Sequence, residues 1–365
     1  MIKFNSSPEP TIGVELELQL VDKNNLNLNN ISSKVLPNIN KEFSDNIKCE
    51  LIESMIEINT NICSSIEEVE KDIKKTLNHL GGLLKTYDTE INCTSLHPFA
   101  IGKNQIITDN VRYKRIMKDL QIVGKRFISQ GLHVHIGINN SENAIKVNNA
   151  LRVYLPLLLS LSTSSPFFEG EDSGLHSYRT KLFEALPLAG MPDYLSNWNH
   201  FEKLTEQLEG AGIISSVKDL WWDVRPHPGF GTVEIRVCDI PITFKEIIAI
   251  VALIQALVVT LINSEPYPDT HIQILQSNKW QAARYGLEGI HVDPKNFQKL
   301  SIKKAIENLF LLVQPTMSSL GTEKYLGQLE EVLNGSTGST IQRNLYKKSK
   351  DFKKVIKTLI EQFYQ

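Results

Sequence analysis

The sequence is poor in the features that mark secreted, membrane-bound or nucleic-acid-binding chains. Its 365 residues hold only four cysteines, Cys49, Cys63, Cys93 and Cys238. None belongs to a CxxC pair and all lie far apart. That argues against a disulfide framework or a structural zinc site and fits a reducing cytoplasm. Charge of one sign is also missing. The net value is −2 at pH 7, so no basic excess draws nucleic acid or an acidic membrane surface. The opening MIKFNSSPEP lacks the charged-then-apolar pattern of a signal peptide. The most apolar stretch, Ile247 to Ile262, is short for a membrane span and contains Gln255, so it reads as a buried helix. No Walker A loop occurs, because GGLLKT at 81–86 lacks the spacing and the preceding strand. No G-x-S-x-G elbow occurs either. Any handling of phosphate must then rest on metal ions and arginine.

What is present is ample apolar material, 41% of the chain, enough for a sizeable core. Length alone allows two domains. With no repeat and no convincing linker, residues 1–365 read as a single domain. Four segments alternate strictly and read as strands: 11–21 (TIGVELELQLV), 50–59 (ELIESMIEIN), 131–138 (GLHVHIGI) and 231–239 (GTVEIRVCD). Ile91 to Ser95 is a fifth, short strand. Ser64-Ser65 ahead of Glu67-Glu68 opens a helix running to about Tyr87. A second helix spans about Ala144 to Leu161, with a kink expected at Pro156. Further helices are expected near 243–263, 301–313, 322–333 and 350–364, with a flexible loop at Gly335 to Thr340. Residues 165–200, rich in Pro, Gly, Ser and aromatics, have no periodicity. They read equally as a lid hinged at Gly170, Gly174 and Gly190 or as a rigid excursion.

Side chains of a strand alternate between faces. Val14, Leu16, Leu18 and Leu20 therefore oppose Glu15, Glu17 and Gln19. Ile52, Ile56 and Ile58 oppose Glu53, Met55, Glu57 and Asn59. His133 and His135 sit opposite Leu132, Val134, Ile136 and Ile138. Glu234, Arg236 and Cys238 sit opposite Val233, Ile235 and Val237. A solvated face is the usual cause of such alternation, but these four faces carry no lysine. Clustered acids repel unless cations neutralise them, and oxygen-rich sets suit hard ions such as Mg²⁺ or Mn²⁺. Arg236 is either an ion-pair partner of an acid or a fork for phosphate or carboxylate oxygens.

TIGVELELQLVD, ELIESMIEINTNI, GLHVHIGI, SSPFFEGEDSGLHSYRT, WWDVRPHPGFGTVEIRVCD and NKWQAARYG, in this order over about 11–345, resemble the carboxylate–amine ligases of the glutamate–cysteine ligase type 2 family. The resemblance implies an α+β, glutamine-synthetase-like fold: a curved, mainly antiparallel sheet with helices on its outer face and ATP and Mg²⁺ (or Mn²⁺) on its inner face. It implies that ATP phosphorylates a glutamate-like carboxylate, which a cysteine-like amine then attacks to form the amide. It implies metal ligation by Glu15, Glu17, Glu50, Glu57, His133 and Glu234, with His135 near the nucleotide. Arg236 matches the phosphate-binding arginine, and Arg179 and Arg225 resemble substrate or phosphate contacts in flanking loops. Strict alternation puts Glu50 on the wrong face, so it needs a bend there, and Glu53 is its rival. Glu53 is also a candidate general base for the amine; a substrate-assisted route is the other. One departure is visible: Leu16 separates Glu15 from Glu17 where the family commonly has three consecutive acids. The resemblance also makes a homodimer plausible. Two other classes fit the residues taken alone: a zinc metallohydrolase using His133 and His135, and a non-catalytic relative that binds a nucleotide or small acid.

Overall fold

A computed structural model describes residues 2–364. Its main sheet is built from seven strands: β1 (Ile12–Asp22), β2 (Ile47–Cys49), β3 (Met55–Asn59), β4 (Thr89–Asn92), β5 (Leu132–Gly137), β6 (Val224–His227) and β7 (Thr232–Ile235). Every pairing is antiparallel, and the order is β2-β3-β1-β5-β7-β6, with β4 also on β1. β1 is the central strand. Eleven residues give it length to pair with β3 along one edge and with β5 and then β4 along the other.

The helices used below are α1 (Ile66–Leu84), α2 (Val111–Leu120), α3 (Ser141–Ser162), α4 (Arg179–Glu184), α5 (Phe244–Ile262), α6 (Ile272–Tyr285), α7 (Ile302–Leu320), α8 (Lys324–Asn334), α9 (Gly338–Ser349) and α10 (Phe352–Gln362). The aliphatic face of the sheet is buried: Leu16, Leu18, Leu132, Val134, Val233 and Ile235 are wholly inaccessible. They share one apolar core with residues of α1, α3, α5 and α7. Burial of that face is the dominant favourable contribution to the fold. α1 begins as its sequence signature predicts. The Ser65 hydroxyl accepts from Glu68 N, and the Glu68 carboxylate reaches back to Ser64 N at 2.7 Å. α5 is long and apolar enough to cross a membrane, but most of it is buried within the protein. It is the core helix its sequence suggests, and Gln255 donates to the Pro10 carbonyl at 3.2 Å.

Several expectations need correction. The second strand is only Met55–Asn59, because residues 51–54 form a turn that returns the Met55 N–H to the Ile52 carbonyl. The 231–239 strand closes at Ile235, and α3 runs as one helix through Pro156. Helix α7 continues past residue 313 and through Pro315. Gly335 to Thr340 is not a flexible surface loop. Thr337 and Ser339 are buried on Thr163, and α9 starts at Gly338. Strands β2 and β6 and helices α2, α4, α6 and α9 have no counterpart among the elements expected from the periodicity. Residues 165–200 are tied down along their length. Ser165 and Ser177 donate to Asp239, Arg343 grips Asp172, and Gly190 exchanges backbone bonds with Trp221 and Asp223. In this structure the segment makes the contacts that a rigid excursion needs.

Leu16 lies between the two acids of β1 and is wholly buried. Leu16→Ala removes core contacts without touching either carboxylate. It should cost about 2–5 kcal/mol in urea unfolding; a loss under about 1 kcal/mol would show that the aliphatic face is loosely packed.

Candidate active site

Sheet register assembles the site. Residues paired across antiparallel strands share a face. Glu15 of β1 pairs with Asn59 of β3 and His133 of β5, and Glu17 pairs with Glu57. His135 pairs with Glu234 of β7, and Glu234 with Arg225 of β6. One row of polar side chains thus crosses five strands from Glu57 to Arg225. β2 adds Lys48 opposite Glu57, so the face does carry a lysine, on a strand too short to be read from alternation.

Above the row lies a cleft of about 420 Å³, a volume typical of small-molecule sites. Its walls come from the Glu50–Leu51 turn, from α2 with Arg112 and Tyr113, from α4 with Arg179 and Phe183, and from Lys218 and Trp221. The inner end of the acidic face is closed. Gln19 is wholly buried and donates to Gln130 Oε1 at 2.7 Å, and Met55 is buried beside it.

The acids fall into three overlapping sets. Glu15, Glu57 and His133 form one, Glu15, His135 and Glu234 the second, and Glu17, Glu50 and Glu57 the third, each with donor atoms within 4.8 Å of one another. Glu50 enters because the turn at 51–54 frees it from strand alternation. Its rival Glu53 does not reach the cleft. The Glu53 carboxylate accepts from Ser32 Oγ at 3.0 Å and Ser33 N at 2.8 Å, at the head of the short helix Ser32–Val35. The expectation that Glu53 is the general base is therefore corrected: it faces the opposite way, in a place where a helix start rewards an anion.

The electrostatics divide the row in two. Burial and the nearby Glu17 charge push Glu50 up to about 7. Burial and Glu50 hold Glu57 well above the ordinary carboxylate range. At the other end hydrogen bonds and cations win. Burial opposes ionisation of Glu15, but hydrogen bonds to His133 (3.2 Å) and His135 outweigh it and hold the group well below its ordinary value. Burial likewise opposes Glu234, and Arg225 and Arg236 more than offset it. His133 is lowered by burial and by Arg236, so it is neutral and able to coordinate. Its Nε2 is buried with no hydrogen-bond partner, as is Nε of Arg236. Unpaired buried polar atoms are costly. These two lie among acids, where a bound cation and its anion would satisfy them. An oxygen-rich set with neutral imidazole is the donor chemistry of Mg²⁺ or Mn²⁺.

The arginines differ in their commitments. Arg236 donates to Glu234 Oε1 and lies 3.5 Å from His133 Nδ1. Arg225 belongs to a strand, not a flanking loop. Its Nε donates to Glu234 Oε2 at 2.6 Å and its Nη1 to the carbonyls of Lys218 and Leu220. Arg179 starts α4 and donates to the carbonyls of Arg236 (3.2 Å) and Val237 (3.4 Å). Gly131 makes room for it: a Cβ there would strike the Arg179 guanidinium and sit 2.9 Å from His133 Nε2. The Gly131 N–H also donates to Glu17 Oε2 at 2.5 Å. Asn59, which holds Glu57 Oε1 at 2.9 Å, lay on the acidic face in the sequence but carries no charge to draw notice. Gly131, Lys48, Arg112 and Lys218 carried no usable signal.

The family model of glutamate-cysteine ligase family 2 (GCS2) matches residues 11–362. A protein of Gloeobacter violaceus, named as a candidate glutamate–cysteine ligase 2, is 37% identical over 364 residues, 98% of each chain. A protein of the same name from Solibacter usitatus is 34% identical, covering 97% of this chain and 94% of its own. Among solved structures, glutamate–cysteine ligase of Francisella tularensis in complex with AMP has a TM-score of 0.75 at 17% identity, over 99% of this chain and 90% of that one. A bifunctional glutathione synthetase from Pasteurella multocida has a TM-score of 0.70 at 13% identity, over 97% of this chain and 52% of that one. The mixed helical and antiparallel-sheet architecture is thus one found in ligases, as expected. The chain belongs to glutamate-cysteine ligase family 2. Its class is that of the ATP-dependent carboxylate–amine ligases.

The raised carboxyls set a pH signature. A raised folded value means that the group's stabilising contribution is present below the ordinary carboxylate range and is lost as pH rises through the folded value, about 7 for Glu50. His133, His97, His176, His227 and His291 have folded values lowered below the ordinary 6.5 by burial, so they titrate only in the unfolded state in this range and oppose the carboxyls until about pH 7.5. The metal effect isolates the carboxyls. Mg²⁺ or Mn²⁺ should raise Tm, and by more as pH rises from 6.5 to about 8, since bound metal replaces the protons. Glu246, raised to about 7 by burial at the start of α5, alters the Tm of EDTA-treated protein but not the metal effect. A Tm indifferent to both metals across this window would remove the carboxylate cluster as a cation site.

Proposed function

We propose that this protein joins a glutamate-like carboxylic acid to a cysteine-like amine, with ATP cleaved to ADP and phosphate, and that it does so in a reducing cytoplasm. The single observation that carries the reading is the three overlapping ligand sets on one sheet face, flanked directly by Arg236. Glu15, Glu17, Glu50, Glu57, His133 and Glu234 would hold Mg²⁺ or Mn²⁺, and His135 stands within 3.3 Å of Glu15 and 3.9 Å of Glu234, placed to join them. Bound metal would neutralise the β- and γ-phosphates and polarise the group being transferred.

The chain's own residues do the rest. Arg236 stabilises charge on the moving phosphoryl group, which passes to an oxygen of the acid as ADP leaves. Arg225 keeps the Glu234 carboxylate aimed, and Arg179 holds the backbone that follows Arg236. The amine nitrogen then attacks the acyl carbon and phosphate departs. With Glu53 turned away, the departing phosphate is the acceptor for the amine proton. Burial of the cleft floor keeps water from hydrolysing the activated acid.

Purified protein with ATP, Mg²⁺, glutamate and cysteine should release ADP and phosphate and yield the amide by mass detection. Absence of both products across a panel of acids and amines would sink the reading. Glu57→Gln should abolish turnover while leaving the fold intact, and wild-type turnover in that variant would take Glu57 out of the site. Glu53→Gln should behave in the opposite way. It should keep wild-type turnover and cost about 1 kcal/mol of stability through its weakened bonds at Ser32 and Ser33; a collapse of kcat in a folded Glu53→Gln protein would restore it as the base.

A further inference from the structure

The segment NKWQAARYG supplied a resemblance but no role. It lies on α6 and contains Lys279, whose side chain is 2% exposed. The Lys279 ammonium touches two carboxylates: Asp223 Oδ2 at 2.5 Å and Glu184 Oε1 at 2.8 Å. Both acids are close in sequence to cleft-lining residues, Glu184 to Phe183 and Asp223 to Arg225. Glu184 is the last residue of α4, the helix that carries Arg179 and Phe183. Asp223 immediately precedes β6, two residues before Arg225. Its backbone carbonyl accepts from Arg236 N at 2.8 Å, and its N–H donates to the Gly190 carbonyl at 2.8 Å.

α4 has six residues and no side-chain cap, too short to hold its place alone. The chain after it forms no regular element until Trp198. Its position must come from outside contacts. One is the ion pair from Glu184 to the buried Lys279; Glu184 also holds Lys181 of the same helix through Oε2 at 2.5 Å. α6 also fixes the start of this segment, since the Ala283 carbonyl accepts from His176 N and Ser177 N. Phe183 in turn packs its ring 5.5 Å from the Arg179 guanidinium and 6.0 Å from that of Arg236. A chain of contacts thus runs from Lys279 through Glu184 and Asp223 to both arginines.

Resting on the ligase reading above, we infer that Lys279 is a positioning residue of the reaction: by clamping α4 and the head of β6 together it sets Arg179 against the backbone of Arg236, and so Arg236 against the nucleotide phosphates. Four of the five metal-binding acids, Glu15, Glu17, Glu50 and Glu57, stand on β1, β3 and the Glu50 turn, outside this clamp; the fifth, Glu234 on β7, is bonded to Arg225 and Arg236. The inference therefore separates two functions that a general loss of structure would lower together.

Lys279→Met alone strands the buried Asp223 carboxylate and can fail to fold. The decisive protein is the triple variant Lys279→Met, Asp223→Asn, Glu184→Gln, which keeps the shapes and removes the charges. Calorimetry should show wild-type affinity for Mn²⁺ alone but about tenfold weaker binding of the non-hydrolysable ATP analogue AMP-PNP with Mn²⁺. ADP release should slow about 10- to 100-fold, the cost of a misplacement near 1 Å. A folded triple variant with wild-type AMP-PNP affinity and ADP release would overturn the proposal. So would a parallel loss of Mn²⁺ and AMP-PNP binding, the mark of a merely structural role. Failure of the wild-type protein to bind AMP-PNP is a different outcome: it removes the ligase reading itself, and this proposal with it.

Discussion

The register of β1 between β3 and β5 is the constraint on which the rest depends. A slip of one residue on either side would send Glu15 and Glu17 into the aliphatic core and turn Leu16 to the cleft. The core forbids this. Leu16 and Leu18 are wholly buried in the core that the sheet shares with the helices. The hydrophobic effect, which is non-directional, thus fixes a directional result. It places Glu15 opposite His133 and Glu17 opposite Glu57. Acids that repel one another are held close by burial on the reverse side of the same strands.

That closeness is managed differently at the two ends of the row. Around Glu15 and Glu234 the protein supplies its own counter-charges, and both groups are held in the ionised form. Around Glu50 and Glu57 it supplies few, and protons make up the difference. The first end is organised before any ligand arrives. The second is completed by whatever cation displaces the protons. Arg236 sits at the join, attached to Glu234 and beside His133. It is the group best placed to pass from a carboxylate to a phosphate oxygen without leaving the cleft.

The sequence made the alternating strands and most of the long helices legible, and little of the short elements and loops between them. Glu15, Glu17, His133 and Glu234 lie on runs whose alternation shows which way each side chain points. The Glu50–Glu53 choice was not legible from periodicity, because the deciding feature is a turn at 51–54 where alternation stops. The resemblance favoured Glu50, and the turn explains why. Lys48 sits on a strand of three residues, too short for any period to show. Arg225 could be found as a candidate, but its engagement with Glu234 and three carbonyls depends on strand pairing. Lys279 illustrates the widest gap. It meets Asp223 and Glu184 from positions 56 and 95 residues away in sequence, and no local pattern encodes that.

β1 is the first strand of the sheet and the centre of it, and this has a consequence for how the protein comes into being. One of its edges can close early, against β3. Its other edge waits for β5, and β5 waits for β7, some 220 residues after β1 begins. Pairings across such separations are slow to form, and an unclosed strand edge invites pairing with another chain. During synthesis the nascent chain therefore carries its acids on an unfinished sheet until about two thirds of its length has emerged. The polar row is the last part of the sheet to be joined. A ribosome-stalled or truncated chain ending before β7 would lack Glu234 and Arg236 together, and so would expose a hydrophobic edge without yet having a centre to protect.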